Sequence, residues 1–279
     1  RINAPDDPAD AGQDPGVVDV LDINNLNPED ITVGEISPTC GKAAMEWVTK
    51  AGELALAGVV DGMATAPLNK EAASLAGYQS IGHSELLQEL SGVKTVATML
   101  LAKNLRVVHL TTHRSLRLAC DYVKKDRILE FLQLTHDNFV TWGFKNPRIG
   151  AAALNPHNSD GGLLGNEEAE EIAPAVEAAR QRGIDVTGPI PADIIFHQAI
   201  QGRFDAVLCM FHDQGHIPVK VYGFEESITA NLGLPFVRTS VDHGTAFDIA
   251  GKGIADAFSM LESIRLAVGL AKGNGLSDF

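Results

Sequence analysis

Among the residues able to do chemistry, the densest group lies in Ala206–Lys220, AVLCMFHDQGHIPVK. Its first part, Ala206–Phe211, is a continuous apolar run, short enough for a buried strand of a parallel sheet. Polarity inverts at His212-Asp213-Gln214-Gly215. Ligands of open α/β sheets sit at the carboxyl ends of strands. A histidine, a carboxylate and Lys220 delivered to such an edge suit metal binding and proton transfer. The plainer alternative is that His212 and Asp213 cap the strand and bond a neighbouring loop. Two similar strand ends upstream favour the first reading: His113 follows Arg106–Leu110, and His157 follows Arg148–Ala153. Separations of 44 and 55 residues are too long for a local finger and fit ligands gathered by a sheet. Three neutral imidazoles would leave open positions on a divalent ion, which could lower the pKa of a substrate hydroxyl. Chance placement is the rival, since the chain holds nine histidines.

Other segments offer anion partners, each with a plainer reading. Val59–Ala64 reads as a buried strand that delivers Lys70, either to a ligand or to solvent at the start of a helix Glu71–Ala76. In Ile81-Gly82-His83-Ser84-Glu85, Ser84 reads as the cap of a helix through Leu90. The free N–H groups there would suit a phosphate or carboxylate. Arg238, after Leu232–Val237, suits bidentate contact with the same groups or a structural ion pair, and Lys220 poses the same choice. The loop Asp242–Gly253, DHGTAFDIAGKG, would let backbone approach a nucleotide or would simply turn into the last helix. It is neither the GxGxxG fingerprint nor a Walker sequence.

The elements that must position these groups alternate between the two periods. Helical spacing covers Cys40–Ala57, ending at Gly58, then Asp126–Phe144, Glu167–Arg182, Ile194–Ile200 and Ala255–Ala271. Val96–Leu101 and Arg106–Leu110 read as an adjacent strand pair. Gly188–Asp193 reads as a stiff loop with Asp193 as a helix cap. Arg1 to Ile36 is weakly periodic.

The length of 279 residues points to about two domains. No apolar run approaches the roughly 20 residues of a membrane helix, and the polar, Pro/Asp/Gly-rich start reads as neither signal nor transit peptide. A net charge of −14 argues against nucleic acid or anionic membrane as partners, but not against a small anionic substrate met by a local basic pocket. Cys40, Cys120 and Cys209 are too few and scattered for a disulfide framework or a cysteine zinc site, and Cys209 reads as a small buried hydrophobe. The expectation is a soluble protein of a reducing compartment, the cytoplasm.

TAPLNK, GHSELL, TTH, LNPH, GPIPAD, FHDQGHIPVK and LGLPFVRTSVDHGTAFDIAGKG, in this order from about Asp61 to about Ala271, resemble the 4-hydroxythreonine-4-phosphate dehydrogenase family. The HDQGHIPVK and RTSVDHGTAFDIAGKGIAD versions are more similar to its second branch, which acts on 4-phospho-D-threonate or 4-phospho-D-erythronate. A sister group oxidises a cis-dihydrodiol of terephthalate. The resemblance implies two α/β/α domains of isocitrate/isopropylmalate dehydrogenase type with a cleft between them. It assigns 1–82 with 222–279 to the cofactor side, and 83–221 to the metal, substrate and dimerisation side. Family members open with an MGDPxGIGPE-like strand and turn that this sequence lacks, so no residues are assigned to it.

By motif, the family's metal histidines fall on His113, His157 and His212, and its substrate-binding His-Thr pair on His83 and Ser84. Its substrate lysine falls on Lys220 and its arginine on Arg238. The asparagine expected nine residues before that arginine is Thr229, while Asn231 stands two places later. The adenine loop falls on Asp242, His243, Gly244, Thr245, Ala246, Asp248 and Gly251, with NAD or NADP as cofactor. The implied protein is a homodimer with a divalent metal (Zn, Mg or Co) near its interface. It would oxidise a secondary alcohol β to a carboxylate, with loss of CO2 from the β-keto acid. Asp213 and Lys220 are the candidates for proton relay. A dihydrodiol dicarboxylate dehydrogenase, a catalytically silent metabolite-binding descendant and a metal-dependent hydrolase are the rivals.

Overall fold

A computed structural model describes residues 1–12, 14–80 and 82–275. Ile81, which opens the IGHSE stretch, and residues 276–279, within the segment assigned above to the cofactor side, lie outside the described residues. The elements are β1 (Ile2–Asn3), β2 (Val18–Asp19), α1 (Pro38–Leu56), β3 (Gly62–Thr65), α2 (Lys70–Leu75), α3 (His83–Ser91), β4 (Ala97–Ala102) and β5 (Leu105–His109). Next come α4 (Leu116–Asp121), α5 (Lys125–Thr141), β6 (Ile149–Ala152), α6 (Ala173–Gln181), β7 (Val186–Ile190) and α7 (Ala192–Ile200). The chain continues through β8 (Ala206–Cys209), α8 (His212–Tyr222), β9 (Ile228–Leu232), β10 (Val237–Val241) and α9 (Phe258–Ala271).

Eight strands form one sheet in the order β3-β10-β9-β4-β5-β8-β6-β7, apart from the short parallel pair β1–β2. The fold is α/β. Strands β5, β8, β6 and β7 are mutually parallel, so their carboxyl ends share one edge. Strands β4, β9 and β10 join by antiparallel ladders, and β10 runs parallel to β3. The three strands from 1–82 and 222–279 hold one end of the sheet and the five from 83–221 the other, meeting at the β9–β4 ladder.

Packing follows the alternation of side chains along each strand. Met99, Leu101, Ala230 and Leu232 turn to the face covered by α5, α6 and α9, within a large buried cluster that includes Phe139, Ile172 and Leu266. Leu100, Val107 and Cys209 turn to the opposite face, where they meet Val219 of α8 and Phe196 of α7. Burial pushes the Cys209 thiol well above its ordinary range, as expected of an inert hydrophobe. Helix α1 is capped by Ser37, whose hydroxyl accepts from the Cys40 N–H, and it stops at Gly58, which takes φ +70°. A Cβ on Gly41 would stand 2.2 Å from the Ala72 carbonyl oxygen, so only glycine lets α1 lie this close to α2.

Several sequence expectations shift. The 188–193 segment is not simply a loop: β7 runs to Ile190, because its backbone pairs with β6 although Gly188 and Pro189 are poor strand formers. Asp193 does not cap α7, whose N-cap is Pro191. The expected single helix 167–182 opens as a π-helical turn, Glu168–Ile172, before α6. The 232–237 segment, to which the residue pattern assigns no element, joins the end of β9 through a turn to the start of β10.

Candidate active site

The site begins as a polar row on one face of the sheet. Ladder register sets Thr98 against Asn231, and Thr229 against both Leu100 and Ser240. Val107 lies opposite Leu100, so His109, two residues on, shares this face. The row His109, Thr98, Asn231 and Arg238 therefore crosses four strands, and Thr229 and Ser240 lie beside it. Above this floor is a cavity of about 290 Å³, walled by Lys70, His83, Ser84, Glu85, His113 and His216.

Arg238 is its electrostatic centre. Its guanidinium donates to the Asn231 Oδ1 at 2.8 Å and to the Thr65 hydroxyl at 2.6 Å. Its Nε–H is buried without a partner among the described residues. Burial lowers the Arg238 pKa to about 10, against the pull of Glu85, so it stays charged at neutral pH. Burial, with the Arg238 and Lys70 charges, pushes His83 down to about 3. The cavity thus brings two cations, Arg238 and Lys70, and a neutral histidine together, while the Glu85 and Asp242 carboxylates also line it. Ser84 does not cap α3; the N-cap is Gly82, and Ser84 sits one residue inside the helix, where it receives the Asn231 side-chain amide at 3.1 Å. Thr229 lines the cavity, while Asn231 lies behind it and braces both Ser84 and Arg238.

His212-Asp213-Gln214-Gly215 is not a loop past the strand. It is the first turn of α8, and that places His216 one turn above His212, with the rings stacked at a centroid distance of 3.6 Å. Asp213 Oδ1 accepts from His212 Nδ1 at 2.7 Å, which turns the other ring nitrogen outward. Asp213 is exposed and faces a different cavity from the polar row. Gln214 clamps the helix start to the sheet, bonding the Met210 N–H and the Ala153 carbonyl at 2.7 Å each.

His113 stands 6.1 Å from His212 between ring centroids. Burial first, then Lys70 and His212, lowers its pKa, which keeps it neutral as a ligand must be. His157 is elsewhere: it lines a separate, largely apolar cavity of about 720 Å³ together with Asp213, Phe211, Ile217 and Val221. Among the described residues no group of three His, Cys, Asp or Glu side chains stands close enough to hold an ion. The donor chemistry of His113 and of an Asp-oriented His212 fits a divalent metal, with a further ligand needed from outside this constellation.

The loop that carries His157 is left-handed. His157, Asn158, Ser159 and Asp160 have φ of +54°, +58°, +57° and +47°, and Gly161 follows at +71°. Left-handed backbone costs non-glycine residues roughly 1–2 kcal/mol each, so the surroundings must impose it. Glu168 in the π-helical turn does so from below. Its Oε1 accepts the Leu154 and Asn155 N–H groups at 2.8 and 2.7 Å, and its Oε2 the Asn155 side-chain amide at 2.9 Å. Burial raises the Glu168 pKa, but these donors outweigh it and hold the carboxyl below the ordinary range. Stability from this carboxylate is therefore present above its unfolded pKa and lost as pH falls through the folded one. Glu168→Gln turns an amide N–H₂ against donors and is expected to lower stability by about 1–3 kcal/mol. Thermal unfolding at pH 7 should show the drop. As pH falls through the acid range, the gap to the wild type should narrow.

Lys220 does not line this cavity. Its Nζ is held by the Asp242 carboxylate at 2.5 Å and the Ser227 hydroxyl at 2.9 Å. Asp242 lines the cavity above the polar row and also a neighbouring cavity of about 640 Å³, which Lys220, Phe224, His243, Gly244, Ala246, Ile249 and Phe258 complete. Its apolar walls and exposed loop backbone fit a nucleotide. A Cβ on Gly244 would meet nothing within 4 Å, and Ala246 takes φ +48° to turn the loop. His243, Thr245, Asp248 and Gly251 lie exposed along the same loop.

Sequence reasoning missed His216, His109 and the Thr65–Asn231 brace. The i,i+4 spacing in HDQGH was the available signal for His216, had the segment been read as a helix. Among the described residues no helix is long and apolar enough to cross a membrane.

A family profile described as "Pyridoxal phosphate biosynthetic protein PdxA" matches residues 1–267. A Fusobacterium nucleatum protein named "Putative D-threonate 4-phosphate dehydrogenase" is 48% identical over 252 residues, covering 90% of this chain and 76% of the relative. The crystal structure of a 4-hydroxythreonine-4-phosphate dehydrogenase from Klebsiella pneumoniae superposes with TM-score 0.91 at 43% identity, covering 97% of this chain and 82% of that one. A terephthalate 1,2-cis-dihydrodioldehydrogenase from Burkholderia xenovorans superposes with TM-score 0.69 at 30% identity, covering 90% and 80%.

Proposed function

The chain belongs to the PdxA family, a family of dehydrogenases, and from that premise we propose that it oxidises a small phosphorylated hydroxy acid of the 4-phospho-D-threonate type. The observation that carries this reading is the pair of cations in this cavity: buried Arg238 with an Nε–H unpaired among the described residues, and Lys70, beside His83 and Ser84 and opening onto His113. Arg238, Lys70 and the first turn of α3 hold the phosphate or distal carboxylate. His113 and His212 hold a divalent metal, and the 242–251 loop holds NAD or NADP. When bound, the metal supplies Lewis acidity at the substrate hydroxyl and the nicotinamide accepts the hydride. The hydroxyl proton leaves toward the carboxylate of Asp242, which lines both cavities and is paired with Lys220. The β-keto acid so formed breaks its bond to the carboxylate and releases CO2.

The third metal ligand, His157, comes in this reading from a second copy of the chain. Exposed apolar side chains beside it support a homodimer there, with Leu163 82% and Val221 83% exposed. Residues 1–82 and 222–279 serve the cofactor, and 83–221 the metal and the dimer.

The deciding comparison sets kcat/KM for 4-phospho-D-threonate, 4-hydroxythreonine 4-phosphate and the terephthalate cis-dihydrodiol side by side. A phosphate ester is expected to lead by tenfold or more, since the dihydrodiol offers Arg238 and Lys70 only a singly charged carboxylate in place of a phosphate. A dihydrodiol in the lead would keep the chemistry and overturn the substrate.

A further inference from the structure

His109, the last residue of β5, is fully buried on the polar face of the sheet, and among the described residues its Nδ1 meets only the Thr98 carbonyl, at 3.3 Å. A carbonyl accepts and never donates, so Nδ1 carries the proton. A neutral buried imidazole then has its lone pair on Nε2. That nitrogen stands 3.0 Å from the Nδ1 of His216. Two ring nitrogens at this distance share one proton, and the only one available is on His216 Nδ1. The His212 carbonyl, 3.2 Å away, accepts from the same N–H. His216 is therefore locked with its lone pair on Nε2, the nitrogen left without a partner among the described residues, in the wall of the cavity above the polar row.

The packing holds this arrangement rigid. A Cβ on Gly215 would lie 2.4 Å from His109 Nε2 and 2.6 Å from the Cys209 sulfur, so a glycine is required for α8 to bring His216 down onto His109. The rest of the ring is fixed by its stack on His212.

Resting on the activity proposed above, we infer that His216 contacts the substrate directly. Its Nε2 accepts a hydrogen bond from the donor on the carbon next to the one oxidised, and His109 is the positioning residue that fixes its tautomer. The oxidised carbon is β to the carboxylate, so the neighbouring α carbon carries that donor, a hydroxyl or an ammonium. A neutral imidazole nitrogen can only accept, so a substrate with bare CH₂ at that position leaves it unpaired in a partly buried wall.

Two measurements test this. In protein labelled with ¹⁵N-histidine, long-range ¹H–¹⁵N correlation should show His109 and His216 both as the Nδ1–H form. In His109→Phe, His216 should lose that preference. A proton on Nε2 of either ring in the wild type would overturn the inference. Zinc shifting His216 Nε2 as strongly as His212 would also overturn it, by making His216 a metal ligand.

The second measurement compares kcat/KM for 4-phospho-D-threonate with that for its 2-deoxy analogue, 3-hydroxy-4-phosphooxybutanoate. The wild type should prefer the first by ~10-fold or more, and His216→Phe should erase the preference. An equal loss on both compounds would mark His216 as merely structural. Should the wild type oxidise neither, the activity reading fails, yet titrating both compounds into the labelled protein still decides. The threonate ester alone should then shift His216 Nε2, and equal or absent shifts would sink the contact.

Discussion

Arg238→Lys is expected to raise KM for the phosphorylated substrate by ~100-fold with a much smaller change in kcat, because charge-assisted hydrogen bonds of this kind are each worth roughly 1.5–3 kcal/mol. Lysine keeps the charge but not the fork. In the wild type two arms of the guanidinium are committed to Asn231 and Thr65, which fixes the plane in which the remaining N–H groups face the cavity. A lysine ammonium can satisfy one of those acceptors or the anion, not all three. The variant should also unfold at a lower temperature, since Asn231 Oδ1 or the Thr65 hydroxyl loses its shortest hydrogen bond in a buried row. An unchanged KM together with a lowered Tm would show Arg238 to be structural bracing and would place the anion elsewhere.

The second large effect concerns the histidines. His212→Ala and His157→Ala should each reduce turnover by ~10³-fold or more, as expected when a Lewis acid is lost. The structure separates the two residues: His212 stands beside His113, while His157 faces the cavity bordered by Ile217 and Val221. If His113 and His212 of one chain meet His157 of another, mixing the two inactive proteins creates one intact site in each mixed dimer. Random reassortment then restores about a quarter of the wild-type rate. The pairing His113→Ala with His212→Ala places both losses in the same site's half and should restore nothing. Recovery in the second mixture but not the first would reassign which histidines share a chain.

Much of this was legible in the residue pattern, and the gaps have physical causes. Strand ends carrying His113, His157 and His212 could be read because a buried parallel strand is a sharp apolar run that stops. Strands β9 and β10 could not, because ITANL and VRTSV alternate polar and apolar, and their polar face forms the floor of a site instead of facing water. That misreading hid Asn231, which looked like a displaced motif residue and is in fact the brace behind Ser84 and Arg238. His216 was hidden because HDQG was read only as the polar end of a strand; a glycine and Pro218 argue against a helix, yet Gly215 is there so that α8 can lie on His109. The left-handed turn at His157 carries no sequence signal beyond its two glycines, because its conformation is imposed by Glu168, eleven residues further on. Lys220 was expected near the substrate anion, and its ion pair with Asp242 instead sets it beside the 242–251 loop.

The most direct test of the central claim is a product balance on the metal-loaded protein with NAD(P)+ and 4-phospho-D-threonate, with and without EDTA. One NAD(P)H and one CO2 should appear for each ester consumed, the phosphate should stay esterified, and EDTA should stop all of it. Release of inorganic phosphate with no reduced cofactor would contradict the account and make the same pocket that of a hydrolase.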